Sequence, residues 1–191
     1  MILASQSPRR IQLMREAGHD VRVMPADIDE TPLPSELPKD LVMRLACDKA
    51  HAVAARYDCS DQTILAADTV VAQGDTILGK PATAADARRM LSDLSGNTHQ
   101  VATGVCILRN GIARSFVDIT EVTFYKLTDA EIDAYIATGE PMDKAGAYGI
   151  QGMHGRMLVR CIDGDFYNVM GLPIAHVQRE LQAMETTQDE R

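Results

Sequence analysis

The dipeptide Asn110-Gly111 stands between two long runs rich in apolar and β-branched residues, His99–Leu108 and Ile112–Phe124. Both positions tolerate positive φ, so the pair closes a tight hairpin and the flanking runs form a long antiparallel ribbon. A two-stranded ribbon is not stable alone in water and requires further strands or helices packed against it.

The rest of the chain supplies them. Ile2–Ala4 reads as a short strand, and Pro8 suits the first turn of a helix that carries Ile11, Leu13 and Met14 and stops at Gly18. Val21–Met24 is a second strand. The proline- and acid-rich stretch Pro25–Pro38 is a loop of the length that often carries function, with Asp29 and Glu30 among its acids. From Lys39 to Tyr57, the residues Leu41, Val42, Leu45, Ala46, Ala50 and Val53 form one helical stripe, and Lys49 falls on it. Thr63–Ala72 is a strand interrupted by Asp68, followed by a turn at Gln73–Asp75 and a strand Thr76–Leu78. Thr83 caps a helix running to Leu94, and Thr128 with Glu131 makes a capping box for a helix ending at Gly139. Asp143–Gly152, DKAGAYGIQG, has too many small residues for a helix and reads as a loop whose backbone can approach a ligand closely. Met157–Ile162 and Phe166–Val169 are expected to pair around Asp163-Gly164, Leu172–Met184 to form a closing helix, and Glu185–Arg191 to fray. The expected fold is α/β, a mixed twisted sheet with flanking helices, in one domain over residues 1–191 with two lobes around a cleft.

Composition narrows the function. The 191 residues carry a formal net charge of −8, which argues against a nucleic-acid binder because phosphate-backbone affinity needs a basic surface. Aromatics are 4%, so the core must be aliphatic. Cys47, Cys59, Cys106 and Cys161 lack CxxC or Cys/His spacing and read as reduced, buried thiols, not a zinc or disulfide framework. There is no secretory h-region and no apolar run long enough to cross a bilayer, so the expected compartment is the cytoplasm, with no membrane partner.

Within SQSPRR, Ser5, Ser7, the backbone N–H groups of a helix start, and the pair Arg9 and Arg10 can together receive an anion. An ordinary capped helix with solvated arginines fits the segment equally well. Asp68 is sharper, because ILAADTVVA otherwise reads as a buried strand, and a carboxylate there needs a lysine, a divalent metal or a reacting water beside it, the plainer alternative being a strand-end aspartate that caps a turn. Lys49 and Lys80 each admit a snorkelling role and gain weight only if they join Asp68, Glu30 and Arg9 in one site. Gln151 offers an amide that can both donate to and accept from a base edge, although a place in a surface turn is the plainer alternative.

The ordered set LASQSPRR, ADTVV, GKP, DKAGAYGIQG and GDFYNVMGLP resembles the Maf family of nucleoside triphosphate pyrophosphatases over almost the whole chain. Gln6 departs from the small residue more common between those serines. The resemblance implies a fold related to the inosine triphosphate pyrophosphatase type, frequent homodimers, and hydrolysis between the α and β phosphates to a nucleoside monophosphate and pyrophosphate. It also implies a divalent cation, magnesium or manganese. By position, Asp68 matches the catalytic aspartate and, with Glu30, the metal carboxylates. Ser5, Ser7, Arg9, Arg10, Glu30, Lys49 and Lys80 match substrate-binding positions, while Arg9, Thr69 and Gln151 match those linked to substrate choice. Gln151 in particular resembles the dTTP/UTP branch, against a Glu-bearing branch acting on 7-methyl-GTP. A second reading from the same resemblance is a nucleotide-binding regulator of cell division or septum formation without turnover.

Overall fold

The computed structural model describes residues 1–57, 59 and 62–189, the side chains of 187–189 excepted. In chain order the elements are β1 (Ile2–Leu3), α1 (Pro8–Glu16), β2 (Arg22–Val23), α2 (Pro38–Arg56), β3 (Ile64–Gln73), β4 (Thr76–Leu78), α3 (Ala84–Leu94), β5 (Thr98–Arg109), β6 (Ile112–Phe124), α4 (Asp129–Ala137), β7 (Val159–Asp163), α5 (Phe166–Met170) and α6 (Ile174–Asp189). The strands form one seven-stranded mixed sheet in the order β2-β1-β3-β5-β6-β7, with β4 paired to β3. β1 is parallel to both neighbours, Ile2 standing opposite Arg22 and Ile64. β3–β4 and β6–β7 are antiparallel. At the expected hairpin, Asn110 and Gly111 have φ of 51° and 76°, the left-handed pair that matches strand twist.

The chain divides into two compact units, the first comprising residues 1–69, 103–118 and 171–191 and the second residues 70–102 and 119–170. The first has a core of small and aliphatic residues, Ile2, Ala4, Ala46, Ala50, Val53, Ile64 and Ala66 among them. These are the faces of β1, α2 and β3, and the stripe on α2 is the one read from the sequence. In the second unit Leu91 and Leu94 of α3, Phe124 of β6 and Ile132 and Tyr135 of α4 pack together with Tyr148 and Leu158. His99 lies edge-on to Phe124 and Tyr148 in that core, with Nε2 2.8 Å from the Tyr148 hydroxyl. Burial pushes the imidazole down to about 4. Both helix starts expected at threonines form: Thr83 accepts from Asp86 N, and Thr128 and Glu131 complete the capping box.

Phe166–Val169 was expected as a strand and is instead part of helix α5. The reason lies in Asp165, whose Oδ1 accepts the backbone N–H of Tyr167 at 2.8 Å and so starts a helix. The buried Asn168 then donates to Val101 O and Thr120 Oγ1 at 2.9 Å each, an anchoring that a strand would not present. β7 pairs with β6 instead, Val122 opposite Ile162. α6 continues to Asp189, past the expected end at Met184, and residues 190 and 191 of the segment expected to fray lie outside the described residues. All four cysteines are free, but only Cys106 is buried, while Cys161 is exposed, which corrects the reading of four buried thiols. No helix among the described residues is long and apolar enough to cross a membrane.

Candidate active site

β1 is short and β3 is long, and that difference opens the site. The parallel ladder runs from Ile2 N to Thr63 O and from Ala4 N to Leu65 O, at 2.8 Å each, and then stops because the chain leaves β1 for α1. β3 continues past it through Ala67, Asp68 and Thr69. With β2 on one side of β1 and β3 on the other, the winding of the sheet reverses between β1 and β3, where open α/β sheets leave a ligand crevice outside the carboxyl ends of their strands.

Asp68 is buried here and meets Lys49 from the inward stripe of α2, Nζ to Oδ1 at 2.7 Å. The same ammonium lies 2.7 Å from Oε1 of Glu30, so one lysine holds two carboxylates. Glu30 comes from the loop before α2, and that loop is pinned. Arg44 donates from Nε to Glu36 Oε1 at 2.7 Å, from Nη2 to Glu36 Oε2 at 2.8 Å, and from Nη2 to Thr31 O at 3.2 Å. The guanidinium hydrogen bonds hold the Glu36 carboxyl down to about 2. Among the described residues no group of three or more His, Cys, Asp or Glu is arranged to hold a metal. Asp68 with Glu30 fits a hard cation that takes one or two carboxylates from the protein and its other oxygens from phosphate and water.

The start of α1 completes this end. Ser7 caps the helix, accepting from Arg10 N at 3.5 Å, and Ser5 Oγ accepts from Ser7 N at 3.2 Å. The two arginines differ sharply. Arg9 is half-buried and its guanidinium has no protein partner among the described residues, whereas Arg10 donates to Ala67 O at 2.7 Å, Gly171 O and Thr69 Oγ1 at 2.8 Å each, and Ser5 Oγ at 3.3 Å. Burial lowers the pKa of Arg10, and the nearby Asp68 opposes that shift. Thr69 Oγ1 also lies 2.9 Å from Thr103 Oγ1 and donates to Gly171 O at 3.3 Å. Ser5, Ser7, Arg9, Arg10, Glu30, Lys49, Asp68 and Thr69 therefore all lie in the first unit.

Lys80 and Gln151 lie in the second unit. Lys80 is exposed and unpaired among the described residues. Gln151 Oε1 is buried with no hydrogen-bond partner among the described residues. The glycines around Gln151 serve packing inside the unit. Gly146 has φ 67°, and a Cβ there would come within 2.9 Å of Val71 Cγ1. Gly155 backs onto the Gly149 carbonyl, while Gly149 N donates to the Tyr135 hydroxyl at 3.2 Å.

A profile of the family described as Maf-like protein matches residues 1–184. The chain belongs to this family. Among curated relatives of this Maf-like chain, a dTTP/UTP pyrophosphatase of Bacillus cereus (strain ZK / E33L) is 50% identical over 182 residues, covering 95% of the chain and 94% of the relative. A dTTP/UTP pyrophosphatase of Halalkalibacterium halodurans has the same identity and coverage. Among solved structures, the Ham1 protein of Staphylococcus aureus aligns with a TM-score of 0.45 and 14% identity over 65% of this chain and 71% of that one. A nucleoside-triphosphatase, dITP/XTP pyrophosphatase, of Mycobacterium abscessus aligns with 0.44 and 12% over 96% of each.

Three further residues shape the site of this Maf-like chain and were not found from the sequence. Arg44 fixes the Glu30 loop, but its partner Glu36 lies eight residues away, outside any helical spacing rule. Thr103 supports Thr69 from β5 and looked like any strand threonine. Gly104, beside it, carries α2: a Cβ would penetrate the Val42 carbonyl and stand 2.7 Å from Met43 N. A glycine inside a strand is the available signal for such an approach.

Proposed function

We propose that this chain hydrolyses dTTP and UTP between the α and β phosphates, releasing the nucleoside monophosphate and pyrophosphate. The observation that carries this reading is the pair formed by buried Asp68 and buried Lys49, with Glu30 on the same ammonium, beside a helix N-terminus that presents a free Arg9. Arg9, the Ser5–Ser7 turn and the α1 N–H groups neutralise the phosphate chain. Asp68 orients and deprotonates the water that attacks the α phosphorus in line, while Lys49 fixes the carboxylate and offsets its charge. A divalent cation such as magnesium or manganese, held by Asp68 and Glu30, would neutralise phosphate oxygens and polarise the α phosphoryl group. Homodimers and a cytoplasmic location complete the proposal.

Gln151 carries the pyrimidine preference. Its buried Oε1 lacks a partner among the described residues, a state that costs about 1–3 kcal/mol and is relieved when a donor arrives. The N3–H of uracil or thymine is such a donor, and the amide Nε2 can serve a neighbouring carbonyl of the same imide edge.

The test is a panel of canonical and modified triphosphates with magnesium or manganese, scoring pyrophosphate separately from orthophosphate. Pyrophosphate from UTP and dTTP is expected. Orthophosphate alone would refute α–β cleavage, and nucleotide binding without steady release would instead favour the regulator of cell division.

A further inference from the structure

Arg10 occupies the place of a missing strand residue. In a parallel ladder that runs from Ile2 N to Thr63 O and from Ala4 N to Leu65 O, the next acceptor on β3 is Ala67 O, and its donor would be the backbone N–H of Gln6. The chain has by then turned towards α1, and the Arg10 guanidinium takes that acceptor at 2.7 Å. It also donates to Thr69 Oγ1 at 2.8 Å, so it grips β3 on both sides of Asp68. Its remaining bonds go to Ser5 Oγ, at the exit of β1, and to Gly171 O, just before α6. Four acceptors from three separate parts of the chain meet one planar group, which a single ammonium could not serve in the same geometry. An extended strand end without such a partner would leave Ala67 O unsatisfied and the backbone of Asp68 free to move.

From this geometry we infer that Arg10 is a positioning residue: it holds the Asp68 backbone at the distance from Lys49 that turnover requires, and Arg9 alone of the pair meets phosphate. The inference rests on the role assigned to Asp68. A displaced reacting group costs rate more than binding, so Arg10→Ala is expected to lower kcat for UTP about 100-fold while KM changes less than about threefold. Arg9→Ala, in contrast, is expected to raise KM. Arg10→Lys keeps the charge but not the four bonds and should behave like Arg10→Ala. It also serves if the alanine variant does not fold. Added methylguanidinium should restore kcat of Arg10→Ala saturably without changing KM, and should raise its melting temperature.

A rise in KM with kcat unchanged, full activity in Arg10→Lys, or recovery driven by lower KM would each assign Arg10 to the substrate and overturn the inference. Unchanged kinetics would overturn it too, by giving Arg10 no part in turnover or binding. Asp68→Asn is measured alongside: normal turnover there would remove the assignment of Asp68 itself, a failure distinct from any behaviour of Arg10.

Discussion

Lys49 Nζ stands 2.7 Å from Asp68 Oδ1, and both side chains are nearly closed off from water. A buried carboxylate at a strand position is costly unless its charge is matched, so α2 and β3 are bound to each other's sequence at this point. The site is thus built into the first unit's core.

Asp68→Asn keeps the volume and an oxygen that can accept from Lys49, so the variant is expected to fold with a melting temperature near that of the parent. Removing the base should lower turnover of UTP by about 100-fold to 10,000-fold. Steady-state pyrophosphate release with circular dichroism on the same sample checks both halves, and near-normal turnover would end the assignment.

Lys49→Met fills the same space along the stripe but leaves Asp68 buried without its cation. The loss of one partner of such a pair is expected to cost about 3–5 kcal/mol, read as a lower urea midpoint at unchanged slope. The double variant Lys49→Met/Asp68→Asn should regain most of that stability and none of the turnover, because the unmatched charge is gone and so is the base.

Much of this was legible beforehand. The α2 stripe, with Lys49 on its inward face, follows from helical periodicity, and Asp68 stood out because a strand of Ile, Leu, Ala and Val buried on both faces has no use for a carboxylate. Local caps at Ser7, Thr83 and Thr128 were readable because their partners lie three residues away. What escaped depends on distance along the chain. Arg10 reaches Gly171 across 161 residues, and no local pattern separates it from Arg9. α5 was misread because one aspartate cap outweighs the strand preference of Phe, Tyr and Val in Phe166–Val169.

Gln151→Glu places an acceptor-only group where a buried amide oxygen has no partner among the described residues. Activity on UTP and dTTP is expected to fall at least about tenfold in kcat/KM, since one carbonyl of the imide then meets a carboxylate. Triphosphates whose base offers paired N–H donors, GTP among them, should rise in the ranking. An unchanged ranking across the panel would sink the explanation.

His99 makes stability depend on pH. Its folded pKa, about 4, lies below the ordinary value of 6.5, so between these limits the unfolded chain binds a proton that the folded chain refuses. Stability therefore falls as pH drops from 6.5 towards 4, by about 3 kcal/mol at the lower limit, and is flat in this respect above 7. His99→Leu should remove that slope from a plot of urea midpoint against pH, even if it lowers the midpoint throughout through the lost contact with Tyr148. A slope that persists in the variant would place the titrating group elsewhere.

Gly104→Ala tests how closely the site depends on the seat of α2. The added methyl would collide with the Val42 carbonyl and crowd Met43 N, both backbone atoms that no rotamer change can move aside. The helix must shift outward, costing about 1–3 kcal/mol or more. The same shift carries Lys49 away from Asp68, because both residues are held by the α2–β3 contact and not by flexible loops. Turnover should then fall further than stability alone explains, with kcat reduced in protein that is still fully folded at the assay temperature. Equal activity in folded Gly104→Ala would show that the Lys49–Asp68 pair tolerates movement of its helix.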